Sequence, residues 1–150
     1  MNAILITAIW GIVMMFGGVF FKRKSTPKYW AIGGLILAII GNCVELIKQK
    51  PMFNIELKDM LSFNSFNLTF ITVVLLCTLL LFLLNGRDIE KVGNNVSEYF
   101  ALIFFVLCGA SIAATFNTLL TLFLGIEILS IPLYILTGSD KRNLKSNEAA

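Results

Sequence analysis

Glu127 is the acidic residue of this sequence best placed to do chemistry. It stands eight residues into an apolar run from Leu119 to Leu136. If that run crosses a bilayer, Glu127 lies roughly 12–14 Å from either end at 1.5 Å per residue, near the centre. A carboxylate there costs at least about 2.5–3.5 kcal/mol, so it must be neutral, paired with a cation, or wet. Ser130, Tyr134 and Thr137 follow at the spacing of one helical face. Hydroxyls on one face beside a carboxyl suit proton or ion passage. Toward the other end the same face offers only Leu124 and Leu120. The expectation is a polar half-path from Thr137 to Glu127, with no polar continuation along this helix. The alternative is a structural carboxyl hydrogen-bonded to a neighbouring helix. Pro132 has no N–H, so the carbonyl of Ile128 loses its helical partner one residue from Glu127. That oxygen could hold a water or a side chain beside the carboxyl. A simple packing kink is the other reading.

Other chemistries find little support. The sequence has no histidine, which removes the commonest metal ligand and the usual general base. Cys43, Cys77 and Cys108 lie singly in apolar stretches with no CxxC spacing, and read as buried free thiols. No catalytic, cofactor-binding or metal-ligating set is expected. Glu45 lies near the end of another apolar run, close to Lys48 and Lys50, where snorkelling or a surface pair would account for it. Asn42, one turn earlier, reads as a helix-contact hydrogen bond. The basic residues cluster between apolar runs and form no stripe with aromatics, which argues against nucleic acid.

These side chains need elements to hold them. Hydrophobic residues make up 57% of the 150 residues and charged residues 14%, where an ordinary globular protein has about 45–50% and about 25%. A soluble fold this apolar could not cover its own surface. Five runs approach the roughly 20 residues that cross a bilayer: Ala3–Phe21, Tyr29–Ile47, Phe66–Leu84, Tyr99–Phe116 and Leu119–Leu136. They must be helices, because an open strand leaves backbone groups unpaired in lipid. The expected fold is an all-α membrane protein, a bundle of about five transmembrane helices. The first run lacks the basic start and small-residue cleavage site of a signal peptide and is read as a span.

Asn117 and Thr118 leave almost no loop between the last two spans and predict a tight antiparallel hairpin. Residues 48–65 read as an external loop with a short interfacial helix. Lys22, Arg23, Lys24, Lys28, Arg87, Lys91, Lys141, Arg142 and Lys145 fall on one side, against Lys48, Lys50 and Lys58 on the other. The larger set marks the cytoplasmic side, which puts the N-terminus outside. Tyr29 and Trp30 suit an interfacial anchor. Gly34 with Ala38, and Gly109 with Ala113, are four apart and mark close helix contacts. The final Ser146-Asn-Glu-Ala-Ala150 reads as the start of another helix, with Ser146 or Asn147 as cap. A helix that begins and stops suggests a truncated chain.

The pattern Gly125-x-Glu127-x-x-Ser130-x-Pro132-x-Tyr134, the later Ser146-Asn-Glu-Ala-Ala150 box and Glu98-Tyr99-Phe100 carry a resemblance. Together they resemble subunit N of the proton-translocating NADH:quinone oxidoreductases (bacterial respiratory complex I). The likeness is strong over residues 98–150 and looser before them. It implies a fourteen-helix antiporter-like fold, of which this chain is the N-terminal third. Residues 1–97 would be three leading helices, and 98–150 the start of the proton-translocation module, cut as the sixth helix begins. It implies that Glu127 transfers protons, paired with a lysine on a seventh helix that is not in this sequence. It also implies a membrane-arm subunit without a redox centre, next to other membrane-arm subunits and lipid. The complex as a whole would use NADH, FMN, iron–sulfur clusters and quinone in a bacterial inner membrane. A subunit of a multisubunit cation/proton antiporter or of a membrane-bound hydrogenase is the neighbouring alternative. A small non-catalytic membrane scaffold is the alternative of another class.

Overall fold

The computed structural model describes residues 1–20, 26–48, 60–89 and 96–138. They form five helices in chain order: α1 (Asn2–Phe20), α2 (Thr26–Lys48), α3 (Ser65–Ile89), α4 (Val96–Ala114) and α5 (Leu119–Thr137). Four of them, α2 to α5, are long and apolar enough to cross a membrane. The described apolar part of α1, Asn2–Gly18, is slightly shorter. It nevertheless runs antiparallel to α2 through the same layer, from Met1 beside Glu45 to Trp10 beside Trp30. The chain is an all-α, multi-pass membrane protein.

The helix bounds depart from the sequence expectation where polar residues join the first turn. Helix α2 starts three residues earlier than its apolar run, with Pro27 in the first turn, where a missing N–H costs nothing. Helix α4 likewise begins at Val96 and takes Glu98 into its first turn, where a negative charge favours the helix dipole. Helix α3 runs on past Leu84 to Ile89. Most residues of these extensions are polar or charged, and hydropathy alone does not count them.

The bundle core lies among the first four helices. Helix α1 packs against α4 and α2, α2 against α3, and α3 more thinly against α4. Phe82, Phe100, Phe104, Met14, Leu35 and Leu75 are fully buried there. The ring of Phe82 meets Phe100 edge-on at 4.8 Å and Phe104 at 6.4 Å. Lipid is as apolar as these side chains, so close packing and interhelical hydrogen bonds, more than the hydrophobic effect, hold such helices together. Gly34 lies directly under the Trp10 indole, where no Cβ would fit. That approach lets Trp10 Nε1 donate to the Trp30 carbonyl at 3.0 Å. Asn42 Nδ2 bridges α2 to α3, donating to the Leu68 carbonyl and to Thr72 Oγ1, both at 2.8 Å. Ser97 Oγ on α4 donates to the Met14 carbonyl on α1.

The hairpin between α4 and α5 is tight, as expected, and is pinned from outside. Leu61 and Phe116 form a single antiparallel bridge. The Ser62 N–H donates to the Thr115 carbonyl at 2.8 Å, and the Asn117 N–H to the Met60 carbonyl at 3.1 Å. The described end of the connection before α3 is therefore extended and paired, with no interfacial helix in it. The rest of that connection, the basic loops around Lys22 and Lys91, and the Ser146–Ala150 box lie outside the described residues.

Candidate functional site

Helix α5 carries the site and, among the described residues, is held mainly by α4. Its buried residues are Thr121, Gly125 and Pro132, all turned toward α4. Thr118 caps it with an extended backbone, φ −123 and ψ 150, and its hydroxyl accepts the Thr121 N–H at 3.2 Å. Gly138 closes the other end, its N–H reaching the Tyr134 carbonyl at 3.1 Å.

Glu127 lies eight residues from the start of α5 and ten from its end, about 12 and 15 Å along the axis. It is exposed, on the face turned away from α4. Tyr134 and Thr137 are exposed on the same side, with Ser130 half-buried between them. The hydroxyls bond locally. Ser130 Oγ donates to the Glu127 backbone carbonyl at 3.2 Å, and Thr137 Oγ1 to the Tyr134 carbonyl at 2.9 Å. One face thus gathers the four polar side chains, and these two hydroxyl bonds run to the helix's own backbone rather than to the Glu127 carboxyl. Lys28 and Lys48, the described lysines, stand at the two ends of α2, far from mid-depth.

Glu45 corrects the expectation. It is only 2% exposed and does not snorkel, and among the described residues its ion pair is with the Met1 amine and not with a surface lysine. Its Oε1 lies 2.6 Å from the Met1 amine, and its Oε2 accepts the Asn2 N–H at 2.8 Å. Asn2 Nδ2 completes the cluster by donating to the Gly41 carbonyl at 3.2 Å. Burial pushes the Met1 amine below the usual range, against the upward pull of the Glu45 hydrogen bond and charge. Glu45 therefore acts as a cap for α1 supplied by α2, since the first N–H groups of a helix have no partner of their own. The signal was present in the sequence. Gly34, Ala38, Asn42 and Glu45 follow one another at three- and four-residue steps, so Glu45 ends the packing stripe of α2.

The cysteines need a smaller correction. All three are free, but only Cys108 is buried, while Cys43 is half-buried and Cys77 is exposed on α3.

No protein-family model matches the chain. Individual proteins do. The chain is 33% identical over 150 residues to NADH-quinone oxidoreductase subunit N of Flavobacterium psychrophilum, covering 99% of this chain and 32% of that protein. It is 35% identical over 154 residues to the subunit N of Chloroflexus aggregans, covering 98% of this chain and 30% of that protein. It is 31% identical over 153 residues to NAD(P)H-quinone oxidoreductase subunit 2 of Rippkaea orientalis, covering 99% of this chain and 28% of that protein. The chain spans about a third of the length of the curated relatives it matches. The similarity reaches back through the first three helices, further than the motifs of residues 98–150 imply. Over nearly its whole length the chain is a relative of NADH-quinone oxidoreductase subunit N, and the part it matches is about a third of that subunit.

Proposed function

We propose that this chain is the leading portion of a proton-translocating membrane-arm subunit of an NADH:quinone oxidoreductase. Glu127 is its proton-transfer residue. Residues 1–97 supply three supporting helices, and residues 98–150 open the antiporter-like translocation module. The redox groups of such a complex, NADH, FMN, iron–sulfur clusters and quinone, belong to other subunits. The chain's part is to move protons in response to quinone reduction. Its partners are the other membrane-arm subunits, in a bacterial inner membrane, with the N-terminus outside.

One observation carries this reading: a carboxyl at the middle of a membrane-length helix, on the face turned away from α4, the helix it packs against among the described residues. A carboxylate left in lipid is costly, so Glu127 either holds a proton or meets a cation from outside the described residues. A group that switches between those two states takes up and releases a proton. Ser130, Tyr134 and Thr137 line the route from the cytoplasmic end. The relatives' names support the assignment to this class of complex.

The test is Glu127→Gln in the full-length subunit within the assembled, membrane-bound complex. The glutamine keeps the size and hydrogen bonding but cannot titrate. Proton uptake coupled to NADH oxidation should fall, by up to the roughly 10²–10⁴-fold that a positioned proton-transfer group contributes. Glu127→Asp should retain part of it. Normal uptake by Glu127→Gln would remove the proposal.

A further inference from the structure

Helices α4 and α5 touch through backbone at two places, and Glu127 stands between them. A Cβ on Gly109 would lie 2.5 Å from the Leu129 amide nitrogen and 2.9 Å from the Ile128 carbonyl carbon. A Cβ on Gly125 would lie 2.8 Å from the Ala113 amide nitrogen and 3.1 Å from its Cβ. The nearest atoms in both cases are backbone. They cannot swing aside as a side-chain tip can, so any substituent there has to move a helix. By contrast, a Cβ on Gly33 of α2 would meet nothing within 4 Å.

The geometry links these contacts to the carboxyl. Residues of an α-helix turn by about 100° each. Glu127 is two residues after Gly125 and two before Leu129, so on either count it points about 160° away from the contact. Contact and carboxyl are opposite sides of one rotation: turning α5 to free the first would swing the second. A second feature meets the first at the same point. The peptide unit packed on Gly109 is the one joining Ile128 to Leu129. Its carbonyl is the one that Pro132 deprives of an amide donor. The α5 backbone is least braced from within at the spot where α4 braces it from outside.

We propose that Gly109 and Gly125 are positioning residues for proton transfer at Glu127. Together they set the rotation and depth of α5 on α4, and so aim the carboxyl away from α4 at mid-bilayer depth. This rests on the reading of Glu127 as the proton-transfer residue. Neither glycine touches the proton. Each acts by admitting a backbone where a side chain would stand.

The experiment compares Gly109→Ala, Gly125→Ala and Gly33→Ala in the full-length subunit of the assembled complex. Glu127→Gln and the double variant Gly109→Ala with Glu127→Gln accompany them. Three quantities are read: subunit assembled in the membrane, protons taken up per NADH oxidised, and the pH profile of that uptake. Misplacement by about 1 Å can cost about a hundredfold where geometry controls a transfer. We expect each contact variant to lower uptake per assembled complex at least about twofold and to shift the pH profile. Gly33→Ala should do neither, and Gly109→Ala should cost nothing further once Glu127 is glutamine. Gly125→Ala, with the milder clash, carries the comparison if Gly109→Ala assembles poorly. Wild-type uptake and pH profile in both contact variants would overturn the proposal. So would a loss that only follows the amount assembled, with the profile unchanged. Normal uptake in Glu127→Gln would instead strike the proton-transfer reading itself, and that variant reports it separately.

Discussion

Glu45 and Glu127 are both carboxyls on apolar helices, and what surrounds each decides its role. Glu45 is enclosed by its own chain and takes two donors, the Met1 amine and the Asn2 N–H. Removing one partner of a buried pair leaves the other uncompensated, which costs about 3–5 kcal/mol. An exposed pair is worth about 1 kcal/mol or less. Glu45→Ala should therefore lower the unfolding temperature of the detergent-solubilised full-length protein markedly, and a wild-type melt would mean the cluster holds nothing. Glu127 has no such enclosure within the described residues, and the proposed function gives it a proton-transfer role instead. Ser130→Ala and Tyr134→Phe remove hydroxyls between it and the C-terminal end of α5. Each should slow proton uptake while leaving assembly intact. Unchanged uptake in the double variant would end the half-path idea, though not the role of Glu127.

At the scale of elements, small residues decide which faces meet. The α1–α2 contact depends on Gly34 lying beneath Trp10. Gly34→Leu should destabilise the subunit, and adding Trp10→Ala should restore part of the loss. Such coupling between neighbours runs to about 0.5–3 kcal/mol in a double-mutant cycle, here read from thermal melts of the four proteins. Additive losses would mean that the two residues do not share the contact. The existence of each helix was legible in the sequence, because apolar length fixes it. The faces were legible only in part. In α2 the stripe from Gly34 to Glu45 spelled out the buried side, yet the nearby lysines suggested the surface for Glu45. In α5 apolar residues surround the polar face of Glu127, Ser130, Tyr134 and Thr137 on all other sides, so the pattern did not reveal which side meets α4. The Gly125 and Gly109 contacts do.

For the whole molecule, the charge pattern predicts the orientation. The ends of α1, α3 and α4 that lead toward the basic loops should face the cytoplasm, while Met1 and the turn at Asn117 face outward. In a full-length protein with Cys43, Cys77 and Cys108 replaced, Asn117→Cys should react with an impermeant maleimide from outside. Lys28→Cys should react only after the membrane is opened. The reverse pattern would refute the orientation, with the helix packing unaffected. The paired segment Met60–Ser62 stays on the Asn117 side in either case, because it is hydrogen-bonded to that turn.

By itself the sequence determined that this is a helical membrane protein and that one acid sits at mid-depth in its last described helix. Apolar length sets the first, since an unpaired backbone cannot remain in lipid. Position along a helix sets the second, since rise per residue is fixed. Only the tertiary structure decided that Glu45 is buried and Glu127 is not. Burial depends on which helices come together, and that is settled by close contacts between residues far apart in the chain. Glu127 owes its direction to two glycines on two helices, and neither one specifies it alone.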